Sequence, residues 1–312
     1  MPWSIESPMN ASQSDSQTNI AKASLLDYFK TWPLFLLPQH LLSALMHRFM
    51  RIKHTEFKNF QISQFIKLFQ VNMSESVYEN ASDFADFNHF FTRELKADAR
   101  LDKTQRNELC CPVDGAISEL GDIEEERLIQ AKGHYFELNE LLGGDDKLTT
   151  TFRNGKFATI YLSPKDYHRI HMPIDGTLQA MLHVPGQLFG VNNASVKTIP
   201  RLFARNERVI SIFDTPAGPM ALIQVGAIFV ASIETIWQGV VTPPRRQQVQ
   251  RWQYQDQDKL SKAQEMGRFN MGSTVVLLFA KDAIKWQTTL QPNLPVQLGQ
   301  LLGKIQHENL NV

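Results

Sequence analysis

The sequence predicts an α+β protein in which helices come first and strands follow. Gln39 to Lys53 and Glu56 to Gln70 both place apolar residues at helical spacing. After Asp102 the chain turns to short β-branched or aromatic segments punctuated by Pro-Gly, Asp-Gly and Pro-Pro turns. That order differs from the strand-helix alternation that a parallel βαβ sheet needs.

Residues 1–24 are rich in Ser, Asn and Gln, carry Glu6 and Asp15, and lack the cationic start and apolar core of a signal peptide. They read as a disordered leader. The most apolar early stretch, Trp32 to Pro38, is seven residues long and holds two prolines. A membrane span needs about 20 apolar residues, so none is expected. In the first helix Leu41, Leu42, Leu45, Met46, Phe49 and Ile52 form one stripe, with His47, Arg48, Arg51 and Lys53 mostly elsewhere. The second carries Phe57, Phe60, Ile62, Phe65, Ile66 and Phe69 beside Lys58 and Lys67. These stripes either pack on the core or dock a basic, aromatic-rich surface in a lipid headgroup layer. Phe87 to Leu95 reads as a third, short helix ahead of a linker. Strands are expected at Phe157 to Leu162, Arg208 to Phe213, within Met220 to Ile236, and at Thr274 to Phe279. The expected units are a helical region at 25–100, a β-rich region at 101–290 and a polar tail at 291–312. There is no internal repeat.

The chain has 312 residues, 43% hydrophobic and 21% charged, which is ordinary for a folded protein with a sizeable core. A net charge of zero argues against a whole-molecule polyanion binder, nucleic acid included. Cys110 and Cys111 are the two cysteines and are adjacent, so no disulfide framework exists; a free buried pair in a reducing cytosol fits.

Chemistry concentrates in four places. Met271-Gly272-Ser273-Thr274 opens an apolar run. A serine there can attack the preceding carbonyl, turn the amide into an ester and eliminate to dehydroalanine, which hydrolyses to a pyruvoyl group. Val113-Asp114-Gly115, read alone, is a turn. Asp166-Tyr167-His168-Arg169-Ile170-His171 sets two histidines three apart, on one helical face or on a turn beside a cleft. As a metal pair it lacks a third ligand nearer than Asp175. Arg201 to Arg208 is a charge run of the kind that normally forms a solvated face. Together Asp114, His171 and Ser273 supply an orienter, a base and a hydroxyl, in an order that one class of serine protease also uses. The Gly-x-Ser-x-Gly elbow of α/β-hydrolases is missing. By spacing alone, a serine hydrolase with an Asp-His-Ser triad and a self-cleaving enzyme stand level.

The chain resembles phosphatidylserine decarboxylase proenzymes of the bacterial and mitochondrial type, from about Leu25 to Phe279. The blocks are Phe87-Asn88-His89-Phe90-Phe91-Thr92-Arg93, Val113-Asp114-Gly115, Gln130-Ala131-Lys132-Gly133-His134 and Asp166 to Pro173. Others are Val184-Pro185-Gly186, Leu202 to Arg208, Gly226-Ala227, Thr242-Pro243-Pro244 and Glu265-Met266-Gly267-Arg268-Phe269. Met271 departs from the Leu usual in the family. The scissile carbonyl belongs to Gly272, so processing is expected to survive.

The resemblance implies decarboxylation of phosphatidylserine to phosphatidylethanolamine and carbon dioxide by a covalent pyruvoyl group made from Ser273. Asp114 would orient His171, His171 would take the Ser273 proton, and the cut at Gly272-Ser273 would give chains 1–272 and 273–312. The substrate's amine would condense with the pyruvoyl ketone, and His168 is the candidate donor of the proton that replaces the carboxylate. The resemblance also implies a barrel-sandwich core, a homodimer, and peripheral attachment to the cytoplasmic side of the cell membrane. There the helices between Leu25 and Phe69 would meet an anionic surface. A non-enzymatic membrane adaptor is the remaining rival.

Overall fold

The computed structural model describes residues 23–131, 134–228, 232–242, 248–255, 258–270 and 274–306. Most of the expected leader therefore lies outside the described residues, as do Gly272 and Ser273.

The N-terminal part is helical: α1 (Leu25–Thr31), α2 (Gln39–Phe49), α3 (Thr55–Phe69) and α4 (Phe87–Phe91). Ser24 opens α1 through a reciprocal capping box with Asp27, which satisfies amides that the first turn leaves free. Pro33 and Pro38 then break the chain into a 3₁₀ turn and a new helix start. Asp86 caps α4 by accepting from His89 N at 2.8 Å. Met50, Ile62, Val71, Phe84, Phe87, Phe90 and Phe91 form an apolar cluster of their own. Phe65 sits within it, its ring edge-on to Phe87, Phe90 and Phe91. α4 ends at Phe91 rather than reaching Leu95, with Thr92 capping it and Arg93 donating to Lys165 O.

The remainder is β-rich. Its elements are β1 (Glu108–Cys110), β2 (Gly115–Asp122), β3 (Arg127–Ala131), β4 (His134–Glu137), α5 (Leu138–Leu141), α6 (Asp146–Phe152), β5 (Lys156–Tyr161), β6 (Arg169–His171) and β7 (Gly176–Val184). They continue with α7 (Asn193–Thr198), α8 (Leu202–Arg205), β8 (Arg208–Thr215), β9 (Gly218–Val225), β10 (Ile233–Thr235) and β11 (Gly239–Val240). The last are β12 (Gln250–Gln253), β13 (Lys259–Leu260), β14 (Glu265–Phe269), β15 (Thr274–Phe279), β16 (Ile284–Trp286), β17 (Pro295–Val296) and β18 (Leu301–Ile305). The stretch Met220 to Ile236 thus holds parts of two strands in different sheets.

Among the described residues the largest sheet runs β12-β7-β8-β9-β15-β5-β2-β17, with β13 also on β7. A second sheet runs β11-β10-β14-β6. It covers one face of the first, where Trp237 Nε1 meets Met181 Sδ at 3.3 Å and stacks edge-on to Phe213. β15 is central, antiparallel to β5 on one side and β9 on the other, and every residue in it is buried. A strand covered on both faces needs a continuous apolar run, which is what Thr274 to Phe279 supplies.

The expectation of a mixed helix-and-sheet chain holds. The barrel does not appear: β12 and β17 end the large sheet without pairing to each other, so among the described residues no sheet closes. The stretch expected as a polar tail contains β17 and β18, which pair with β2, β1 and β16, so the core continues to residue 305. Its alternation is short and interrupted by Gly299 and Gly303, which hides it in the sequence. Cys110 and Cys111 are free and buried, and burial pushes the Cys110 thiol up to about 12. No helix among the described residues is long and apolar enough to cross a membrane.

Candidate active site

The sheets set the strands that flank the expected cut beside β6 and β5. β14 carries the chain toward residue 270 while paired to β6, which ends at His171, and β15 leaves from residue 274 while paired to β5. Gly272 and Ser273 are outside the described residues, but both of their flanks are fixed. Asn270 N donates to Ser232 O at 2.9 Å, and Phe269 N donates to His168 O at 3.0 Å.

His171 is held at both ring nitrogens. Nδ1 lies 2.7 Å from Ala263 O, an acceptor only, so Nδ1 carries the proton. Nε2 is then left with a lone pair and accepts from the Tyr167 hydroxyl at 3.2 Å. Burial holds His171 below the ordinary imidazole range, and the Ala263 carbonyl and the charges of Glu265 and Asp114 offset part of that. A neutral imidazole with an unprotonated Nε2 is the form a general base needs. Ala263 has φ 62, the left-handed region that an alanine adopts at a cost of roughly 1–2 kcal/mol.

Asp114 sits immediately before β2. Gly115 is there because β2 passes so close to β5 that a Cβ would lie 2.3 Å from Tyr161 O. His171 makes no hydrogen bond to Asp114. Both carboxylate oxygens instead take Arg100, at 3.0 Å and 3.1 Å from Nε and 2.7 Å from Nη2, and Leu298 N adds a bond of 2.9 Å. Arg100 Nη2 also reaches Glu75 Oε2 at 2.9 Å. A guanidinium fork satisfies a buried carboxylate better than one imidazole N–H would. The orienting role falls to the Ala263 carbonyl, and Asp114 acts on His171 through its charge.

His168 is fully buried, its ring 4.1 Å from that of Phe91. Nδ1 is 2.8 Å from Asp166 O, and Nε2 is buried without a hydrogen-bond partner among the described residues. Burial, reinforced by the nearby Arg93 charge, pushes this imidazole down to about 3, so it is neutral at pH 7 rather than cationic. Beside these residues lies a cavity of about 640 Å³ whose walls include Arg93, Arg100, Asp114, Tyr161, Tyr167 and Lys165. A volume of that order holds a small-molecule headgroup.

Residues 87–304 match the family model for phosphatidylserine decarboxylase, and residues 29–70 match a further model described as PSD. The chain belongs to the phosphatidylserine decarboxylase family. It is similar to the phosphatidylserine decarboxylase proenzyme of Methylococcus capsulatus, 52% identical over 86% of this chain and 94% of the relative. The proenzyme of Azotobacter vinelandii is 50% identical over 86% and 95%. That of Nitrosococcus oceani is 48% identical over 92% and 94%.

Sequence reasoning missed four residues that shape this candidate site. Tyr167 and Arg93 lay inside quoted blocks but carried no distinguishing pattern. Arg100 stands in a stretch read as linker, and Ala263 acts through its backbone, which no residue-type signal reveals. The run Arg201 to Arg208 is not the solvated face expected. Asn206, Glu207 and Arg208 are buried. Glu207 meets His183 Nε2 at 3.0 Å, and Arg208 Nε donates to Leu141 O at 2.7 Å, closing the end of α5. Asn206 Nδ2 donates to Phe189 O and Gly226 O, tying the 186–191 loop to the end of β9.

Proposed function

We propose that the chain is a proenzyme that cuts itself between Gly272 and Ser273 and then decarboxylates phosphatidylserine to phosphatidylethanolamine. In maturation, His171 Nε2 exchanges the Tyr167 hydroxyl for that of Ser273 and takes its proton as Oγ attacks the Gly272 carbonyl. The amide C–N bond breaks, the amine receives that proton, and an ester joins Gly272 to Ser273. Loss of the Ser273 α-proton expels the 1–272 chain as a carboxylate. The dehydroalanine left behind takes up water and releases ammonia, giving a pyruvoyl group at the head of 273–312. The Asp114 charge, held by Arg100, favours the imidazolium that forms.

The residues present suit such a group. Asn270 Oδ1 and Thr274 Oγ1, on either side of the cut, are buried without a hydrogen-bond partner among the described residues, as is His168 Nε2. The pyruvoyl carbonyl supplies an electron sink for the pair released as carbon dioxide departs. His168, neutral with an empty Nε2, first accepts a proton shed by the substrate's ammonium. It then returns that proton to the α-carbon. His168→Ala should therefore still give two chains but lose about 10²–10⁴-fold in decarboxylation. Equal activity in the matured variant would show that the proton comes from another donor.

Membrane contact rests mainly on α1, α2 and the turn between them. Leu25, Phe29, Trp32 and Leu36 are 79%, 77%, 66% and 71% exposed, whereas α3 turns Ile62 and Phe65 into its own cluster. Arg48 and Lys53 are exposed beside that surface, and Arg51 is half-buried. Attachment is peripheral, by apolar burial plus about 1 kcal/mol per basic residue near an anionic leaflet. Co-sedimentation with phosphatidylserine vesicles should fall strongly at low salt and little at high salt for an Arg48, Arg51 and Lys53 triple-Ala variant. A Leu25, Phe29 and Leu36 triple-Ser variant should lose binding at both salt levels. Binding unchanged in both variants would return these helices to a packing role. The homodimer implied by the resemblance is read in the same preparation by its sedimentation coefficient.

The observation that carries the reading is the placement of His171, neutral and oriented, on the strand paired to the one entering the cut. Intact mass under denaturing conditions tests it. Two fragments matching 1–272 and a pyruvoyl-blocked 273–312 are expected, with carbon dioxide released from phosphatidylserine. One intact chain that reacts with a fluorophosphonate would instead mean a serine hydrolase.

A further inference from the structure

Arg93 follows α4 by two residues and is 4% exposed. Its Nη2 donates to the carbonyls of Lys165 at 2.9 Å and Asp166 at 3.4 Å, and its guanidinium lies 5.8 Å over the Phe90 ring. Nε is buried with no hydrogen-bond partner among the described residues. Buried guanidinium groups are normally paired with a carboxylate. The carboxylates whose charge reaches this one are committed elsewhere: Asp114 and Glu75 to Arg100, and Asp166 to Ser163 N. Arg93 is thus a buried cation without an ion-pair partner among the described residues. It stands in the wall of the cavity that Asp114, Tyr161 and Tyr167 also line, with exposed Lys165 on the same wall.

We infer that Arg93 is the residue that recognises the anionic phosphodiester of the lipid headgroup. This rests on the decarboxylase reading above. The substrate offers two anions, a carboxylate and a phosphodiester, and the chemistry separates them. A guanidinium on the carboxylate would stabilise the charge that has to be lost and would raise the barrier. A guanidinium on the phosphodiester meets a charge that is the same in substrate, transition state and product. Such uniform binding lowers KM without changing kcat. The position fits, because the short α4 that delivers Arg93 also delivers Phe91 against His168. One element therefore sets both the headgroup anchor and the packing of the proposed proton carrier.

The test uses mature enzyme and a soluble short-chain phosphatidylserine, with glycerophosphoethanolamine and L-serine as competing probes. Arg93→Met should raise KM by about tenfold or more, the loss of a charge-assisted hydrogen bond, while kcat stays within about threefold. Inhibition by glycerophosphoethanolamine, which keeps the phosphodiester, should weaken to a similar extent. Inhibition by L-serine, which has only the carboxylate, should not change. Arg93→Lys should fall between Met and wild type in KM, and it carries the test alone if Arg93→Met fails to mature. An unchanged KM, or a fall in kcat alone, would reduce Arg93 to a structural clamp. Weakened serine inhibition with intact glycerophosphoethanolamine inhibition would assign Arg93 to the carboxylate and overturn the inference. A wild-type protein that releases no carbon dioxide would count against the decarboxylase reading itself rather than against Arg93.

Discussion

Ser273→Ala should leave a single uncut chain with no decarboxylase activity. The loss is complete, not partial, because two functions end together. Without the hydroxyl there is no attack on Gly272, and without the attack there is no carbonyl electron sink for turnover. The substitution removes one oxygen beside a strand that is already registered on both sides, so the fold is expected to survive. Denaturing electrophoresis together with circular dichroism reads both points. Two chains from a folded Ser273→Ala protein would end the self-cleavage mechanism.

His171→Ala should slow the cut by about 10²–10⁴-fold, the usual contribution of a positioned base. Asp114→Asn should slow it less, because the structure gives the orienting bond on Nδ1 to Ala263 O rather than to Asp114. The pH dependence follows from the same geometry. The active form is the neutral imidazole, and burial depresses its proton affinity below the ordinary value of roughly 6.5. Cleavage of purified precursor should therefore keep its full rate through neutral pH. It should decline only when the pH drops past that lowered value. A decline centred above the ordinary imidazole range would point to a different base, and equal rates for Asp114→Asn and His171→Ala would restore Asp114 to direct contact.

How much of this was legible depends on whether a feature is local. Thr274 to Phe279 could be read as a strand because central burial forces an unbroken apolar run. That β5 and β9 are the strands beside it could not be read, since pairing between segments far apart in sequence leaves no local mark. Asp114, His168 and His171 stood out because few side chains can do acid-base work. The partners that define their states did not stand out. Ala263 acts through a carbonyl 92 residues from His171, and Arg100 declares itself only where the fold brings it to Asp114. The same reason explains the misreading of Asn206, Glu207 and Arg208. A run of polar residues looks solvated unless one knows that the end of α5 and the 186–191 loop need their donors.

The central position of β15 makes time, rather than equilibrium, the measure of durability for the cut protein. Before cutting, β15 finds its place between β5 and β9 as part of one chain, a unimolecular event. After the proposed cut, the same strand would belong to a separate polypeptide, beginning at Ser273, that also carries β16, β17 and β18. Six residues of β15 pair on each side, which holds the pieces together without a covalent bond. Once those ladders open, restoring them requires two molecules to meet and a strand to enter the middle of a sheet. Unfolding of the mature form is then effectively one-way, and its lifetime is set by the barrier to opening. The precursor works as a disposable folding template: it is consumed by the reaction that makes the enzyme, and the enzyme cannot readily be rebuilt without it.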